Sequence, residues 1–233
     1  MPKKKTGTPQ NWPPPKGPVP DADRTTLISF VLDKSGSMAG LTEATISGFN
    51  EFKADQAAAP GRALFSLTLF DTQIYHACSA IPIAEVPDLD HASYRPDGCT
   101  ALYDAVGSAI LSVDRFLDAG NGPVDQVVFV VMTDGLENSS QEFDRRRVFD
   151  MIADRQKTRE YEFVYLGANQ DSYVESMQMG VAAGRSMDWS ATPAGTRQTL
   201  NALSGEMLSY RYEGTRQRKA WFEDEGEAAQ PPA

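Results

Sequence analysis

The sequence predicts an α/β domain, a doubly wound and mostly parallel sheet with helices on both faces and one antiparallel edge strand. Three observations lead there. The short runs 27–32 and 127–132 are almost wholly apolar and rich in β-branched residues, as strands covered on both faces are. Segments with apolar residues spaced three or four apart alternate with such runs, and that spacing is one face of a helix. Finally, the segments 64–70 and 73–80 are joined only by Asp71 and Thr72, a connection short enough to force antiparallel pairing. A chain of 233 residues is long enough to bury the core of one such domain and still carry tails.

The elements follow in order. Leu27 to Leu32 is the first buried strand, and Leu41, Ala44, Gly48, Phe49 and Phe52 mark the helix after it. The hairpin comes next, then a looser stretch carrying Pro82, Pro87 and Pro96. Leu102, Ala105, Val106, Ala109, Ile110, Val113, Phe116 and Leu117 form the cleanest helical stripe, ended by Gly120 and Gly122. Val127 to Met132 is the second central strand. Val148, Phe149, Ile152 and Ala153 mark a helix, and Glu162 to Leu166 a further strand. A short helix near 170–179, a strand near 186–191 and a helix over 194–211 complete a domain at 25–212.

The ends differ from this body. Residues 1–24 hold seven of the 15 prolines and a net charge of +3, so they bury too little to offset their ordering entropy and read as a disordered basic arm. Residues 213–233 read as a charged tail, with Glu223, Asp224, Glu225 and Glu227.

Composition excludes several functions. With 22 basic against 32 acidic residues the net charge is −10, and a phosphate backbone rewards the opposite, so no nucleic-acid partner is expected. No apolar run spans a bilayer, and the basic start leads into prolines rather than a signal-peptide core. A cytoplasmic protein with no membrane partner is the expectation. Two cysteines make no disulfide framework. His76, Cys78, His91 and Cys99 are the only zinc-type ligands. His76 and Cys78 fall on one strand face by simple alternation, but the spacing is irregular for zinc.

In open α/β sheets ligands bind beyond the carboxyl ends of the strands. After the first strand comes Asp33-Lys34-Ser35-Gly36-Ser37-Met38, after the second central strand Thr133-Asp134-Gly135, and before the cleanest helix Asp97-Gly98-Cys99-Thr100. If the two central strands are neighbours, Asp33 and Asp134 meet at one edge beside the hydroxyls of Ser35, Ser37 and Thr100. Two carboxylates and three hydroxyls are a hard-oxygen set suited to Mg²⁺ or Mn²⁺. The alternative is that Asp33, Ser35 and Ser37 only cap the following helix. Asp71 reads either as a rim group or as a hairpin-turn residue. Glu137 and Asn138 read as partner-tuning or plain loop residues. Asp104 reads as an acceptor behind Thr100 or as a first-turn acid.

These segments, with Thr100-Ala101-Leu102-Tyr103-Asp104-Ala105, resemble the metal-ion-dependent adhesion site of von Willebrand factor A domains, most closely the compact intracellular bacterial form. The resemblance covers about 25–210, with all five ligand positions occupied. It implies a doubly wound sheet with a divalent cation at the strand carboxyl edge. Ser35, Ser37 and Thr100 would touch the metal, and Asp33 and Asp134 would bind it directly or through water. It also implies a protein-interaction module that takes a partner's Glu or Asp onto the metal. Intracellular relatives suggest a second setting, as the regulatory subunit of an ATPase or chelatase-type assembly.

Enzyme readings lack their parts. There is no Gly-x-x-x-x-Gly-Lys, Gly-x-Gly-x-x-Gly or Cys-x-x-Cys. A metal-dependent, phosphatase-like hydrolase with Asp33 as nucleophile is the rival, but phosphatases of that type carry a second acid where this chain has Ser35. The expectation is a protein that is not an enzyme.

Overall fold

The structure, a computed structural model, describes residues 24–168, 172–213 and 220–222. The basic arm, apart from Arg24, and the acidic run from Glu223 lie outside the described residues. So does the start of the segment expected to be helical at 170–179.

Six strands form one sheet: β1 (Thr25–Asp33), β2 (Arg62–Phe70), β3 (Ile74–Pro82), β4 (Gln126–Thr133), β5 (Glu162–Ala168) and β6 (Ser186–Trp189). Their order across the sheet is β3-β2-β1-β4-β5-β6. Every pairing is parallel except that of β2 with the edge strand β3. The helices are α1 (Thr42–Ala58), α2 (Leu102–Asp118), α3 (Arg145–Thr158), α4 (Ser172–Gln178) and α5 (Pro193–Glu213).

Alternation along the central strands feeds two cores, as a sheet covered on both faces requires. Ile28, Phe30, Leu32, Val128, Val130 and Met132 point to one side, against Phe49 and Phe52 of α1 and Leu200, Leu203 and Met207 of α5. Leu27, Val31, Val127, Phe129 and Val131 point to the other, against Ala105, Val106, Ile110 and Val113 of α2 and Val148 and Ile152 of α3. The first core also takes in Trp221, beyond α5, which packs on Tyr210 with ring centroids 5.0 Å apart. Buried Arg211 donates to the carbonyls of Gln56 at 2.6 Å and of Pro60 and Gly61 at 3.3 Å, closing the carboxyl end of α1.

The expected strand face shared by His76 and Cys78 is corrected here. The pairing of β2 with β3 shifts register, with Thr68 opposite His76 but Leu67 opposite Cys78, so one extra residue is inserted between them. That bulge turns the two side chains to opposite faces. His76 meets Thr68 at 3.1 Å and Ser108 of α2 at 3.3 Å, while Cys78 packs into the core on the α1 side. Nothing brings them together on one metal.

Candidate functional site

Register sets the site. Leu32 pairs with Met132, so Asp33 and Thr133 emerge side by side where β1 and β4 end. Asp33 is fully buried and held from both sides. Its Oδ1 accepts the Ser35 amide at 2.6 Å, and its Oδ2 accepts the Thr133 hydroxyl at 2.5 Å. Its carbonyl accepts the hydroxyl of buried Tyr94 at 2.6 Å. The chain then folds into a 3-10 turn, Gly36–Leu41, before α1.

The capping alternative can be decided on geometry. Neither Ser35, at the start of the 3-10 turn, nor Leu41, at the start of α1, makes a side-chain cap. Instead the Ser35 and Ser37 hydroxyls lie 3.1 Å apart, and Ser37 donates to Asp134 Oδ1 at 2.5 Å. Thr100 arrives from the other side. A Cβ placed on Gly135 would lie 3.2 Å from Thr100 Oγ1 and 3.6 Å from Ser37 Oγ, so both hydroxyls flank that glycine. The structure therefore brings Ser35, Ser37 and Asp134 into one hydrogen-bonded run, with Asp33 below it and Thr100 across from it. Ser37 is exposed and the other four are buried, so the cluster opens to solvent on one side.

Both acids are pushed above the ordinary carboxylate range. Burial pushes the Asp33 carboxyl up to about 6, against the hydrogen bonds from Thr133 and Ser35, and the charge of Asp134 adds to the rise. Burial also raises Asp134, opposed by the Ser37 hydroxyl. Among the described residues no ion pair reaches either acid. Lys34, the nearest cation in sequence, turns away to pair with Asp71 and lies over the Tyr75 ring, 4.3 Å from its centroid. Nor do three or more His, Cys, Asp or Glu side chains converge among the described residues, so no carboxylate- or thiolate-rich centre competes. Two buried carboxylates edged by three hydroxyls suit a hard divalent cation.

Several neighbours take roles that sequence left open. Asp71 Oδ1 accepts the Gln73 amide at 2.7 Å, so it shapes the hairpin turn and clamps Lys34 at once. Asn138 exchanges two hydrogen bonds with Thr100, accepting its amide at 2.8 Å and donating its own to the Thr100 carbonyl at 3.0 Å. Glu137 accepts the amides of Tyr103, Ser139 and Ser140 and the Ser140 hydroxyl, between 2.7 and 3.0 Å. Asp104 accepts the amides of Gln141, Glu142 and Phe143 at 2.8–2.9 Å. The first turn of α2 and the loop after β4 are thereby laced together, which fixes Thr100 against Asp134.

No protein-family profile matches the chain, and no curated protein matches it in sequence. Solved structures do resemble it. Proximal thread matrix protein 1 from the mussel byssus, in a structure with a zinc-occupied MIDAS motif, is 14% identical with a TM-score of 0.59, covering 82% of this chain and 49% of that one. The von Willebrand factor type A protein from Catenulispora acidiphila is 13% identical with a TM-score of 0.56, covering 79% and 43%. The vWF domain of the type V pili tip protein Mfa5 from Porphyromonas gingivalis is 12% identical with a TM-score of 0.59, covering 82% and 98%. This chain spans about half of the first two and nearly all of the third. At these identities the likeness shows a shared architecture, the von Willebrand factor A fold.

Proposed function

We propose that this chain, a von Willebrand factor A fold, is a metal-dependent protein-interaction module that engages a carboxylate on its partner. The observation that carries the reading is the run from Ser35 through Ser37 to Asp134 at the carboxyl ends of β1 and β4. Ser35, Ser37, Thr100, Asp33 and Asp134 would hold Mg²⁺ or Mn²⁺, and the cation supplies a Lewis-acidic docking point for an incoming Glu or Asp.

The chain's own residues do the rest. Thr133 and the Ser35 amide orient Asp33, and Asn138 holds Thr100, so the donors are set before any cation arrives. Exposed Ser37 leaves one side open to a partner. A net charge of −10 repels an acidic partner, so recognition depends on the cation. Binding is favoured over Asp33-centred hydrolysis because Ser35 stands where such phosphatases carry a second acid, and both imidazoles are engaged elsewhere. His76 lies between Thr68 and Ser108, and His91 contacts Glu43 at 2.8 Å. We place the module in the cytoplasm, where a subunit of an ATPase or other multi-component assembly is one class of partner. Among the described residues no helix is long and apolar enough to cross a membrane.

The test is an affinity pull-down from source-cell lysate in Mg²⁺, in EDTA and with Asp134→Ala. A partner lost in both of the latter supports the reading. A partner retained in both places binding elsewhere and overturns it.

A further inference from the structure

The loops that carry the candidate ligands are joined by an ion pair that is not among them. Lys34 stands between Asp33 and Ser35, and its backbone is held on both sides. Its amide donates to the Phe70 carbonyl at 2.7 Å, and its carbonyl accepts the Asp97 amide at 2.9 Å. Its ammonium pairs with the Asp71 carboxylate, and the two side chains are only 12% and 10% exposed. Asp71 in turn reaches the other ligand loop. Its carbonyl accepts the amide of Ala101, the neighbour of Thr100, at 2.9 Å. One residue thus grips the loop of Ser35 and Ser37 with its side chain and the loop of Thr100 with its backbone.

Two further contacts close the same seam. The Cys99 amide donates to Thr72 Oγ1 at 2.9 Å, and the Gly36 amide to the Gly98 carbonyl at 3.1 Å. Gly98 has a φ of +71°, and a Cβ there would lie 2.6 Å from Thr72 Oγ1, so this close approach depends on glycine.

We infer that Lys34 and Asp71 are positioning residues that fix the spacing between Thr100 and the Ser35 and Ser37 hydroxyls, and that this fixed spacing makes the site prefer Mg²⁺ to Ca²⁺. The inference rests on the metal-dependent reading of the Ser35–Asp134 cluster and adds the cause of its choice of cation. Mg²⁺ demands near-octahedral donors at about 2.0–2.1 Å, whereas Ca²⁺ accepts a looser and more variable shell at about 2.3–2.6 Å. Donors that cannot spread penalise the larger ion, and donors freed to spread lose that discrimination. The pair brings no net charge to the acids, so its effect on the cation is one of placement rather than attraction.

Titration calorimetry of the metal-depleted full chain with magnesium chloride and with calcium chloride tests this, using Lys34→Met, Asp71→Asn, the double variant and Lys34→Arg. Charge and placement predict different outcomes. If only charge mattered, Lys34→Met would tighten both metals and Asp71→Asn would weaken both, leaving the preference for Mg²⁺ unchanged. The expected result is that each single substitution lowers that preference by about tenfold. The double variant, which leaves neither charge unpaired and carries the test where a single variant fails to fold, falls no further, because the two residues act as a unit. Lys34→Arg keeps the pair and most of the preference. A double variant with the preference of the wild type overturns the positioning role and leaves the metal reading intact, as does a wild-type chain that takes Ca²⁺ as readily as Mg²⁺. A wild-type chain that takes up neither cation overturns both.

Discussion

Ser37 donates its hydroxyl proton to Asp134 Oδ1 at 2.5 Å, although the two stand 97 residues apart in the chain. This bond draws the loop after β1 and the loop after β4 to a common point, and removing it tests the site directly. Ser37→Ala should change unfolding free energy by no more than about 0.5 kcal/mol, because the side chain is exposed. It should weaken Mg²⁺ or Mn²⁺ binding by about 10–100-fold, read by titration calorimetry. Unchanged metal affinity would remove Ser37 from the ligand set.

Under the proposed metal-dependent function, Asp33 would link metal binding to pH. Its carboxyl stands at about 6 in the fold against an ordinary 3.8. An acid raised on folding stabilises the metal-free protein fully below its ordinary pKa, and that contribution is lost as pH rises through about 6. A cation bound there takes the place of the proton. Adding Mg²⁺ to metal-depleted protein should therefore raise the melting temperature most at about pH 7.5, with the gain shrinking below about pH 6. A gain of equal size across that range would speak against Asp33 as a ligand.

The latch at Glu137 should matter for both stability and metal. The carboxylate accepts four hydrogen bonds and sits at the amino end of α2, where the helix dipole favours a negative charge. Glu137→Ala should cost about 1–2 kcal/mol in urea unfolding, as loss of a helix cap does, and should loosen Thr100 enough to lower metal affinity. Glu137→Gln keeps an acceptor and should cost less. Equal stability of all three proteins would show that the loop is held by Asp104 and Asn138 alone.

Much of this arrangement was legible in the sequence, for physical reasons. β1 and β4 are buried on both faces and so leave nearly continuous apolar runs, and α2 leaves its stripe because one face is packed. Asp33, Ser35, Ser37, Thr100 and Asp134 stood out because each falls at the end of such an element. What stayed hidden was set by contacts between distant segments. Glu137 and Asp104 bond backbone amides 34 to 39 residues away, and no local period encodes that. Lys34 carries no sign in its neighbours that it will turn to Asp71. The bulge defeats alternation between His76 and Cys78, because alternation assumes an uninterrupted ladder. Trp221 and Phe222 did leave a signal, two large apolar residues inside a charged stretch, and Trp221 lies in the core.

Helix propensity makes the wrong forecast at Gly107, in the middle of α2. Alanine there would ordinarily stabilise the helix by about 1 kcal/mol. A Cβ at that position would fall 2.4 Å from Cδ1 of buried Phe143, inside its van der Waals surface. Gly107→Ala should therefore destabilise the protein by about 1–3 kcal/mol in urea titration, as overpacking does. Phe143→Leu should relieve part of that cost in the double variant. A stabilised Gly107→Ala protein would show that the ring moves aside freely.

The bulge in β3 has a reach beyond the two side chains it separates. β3 is one edge of the sheet, and its ladder to β2 is broken within nine residues. The other edge, β6, has only four residues, and the Trp221 amide bonds the Gly184 carbonyl just ahead of it at 2.8 Å. Long, flat edges invite another chain to add a strand, and neither margin here is long and flat. Growth of the sheet from copy to copy is thus discouraged at both sides. A copy of this chain that meets another thus finds no ready strand to extend, and the sheet ends with the molecule.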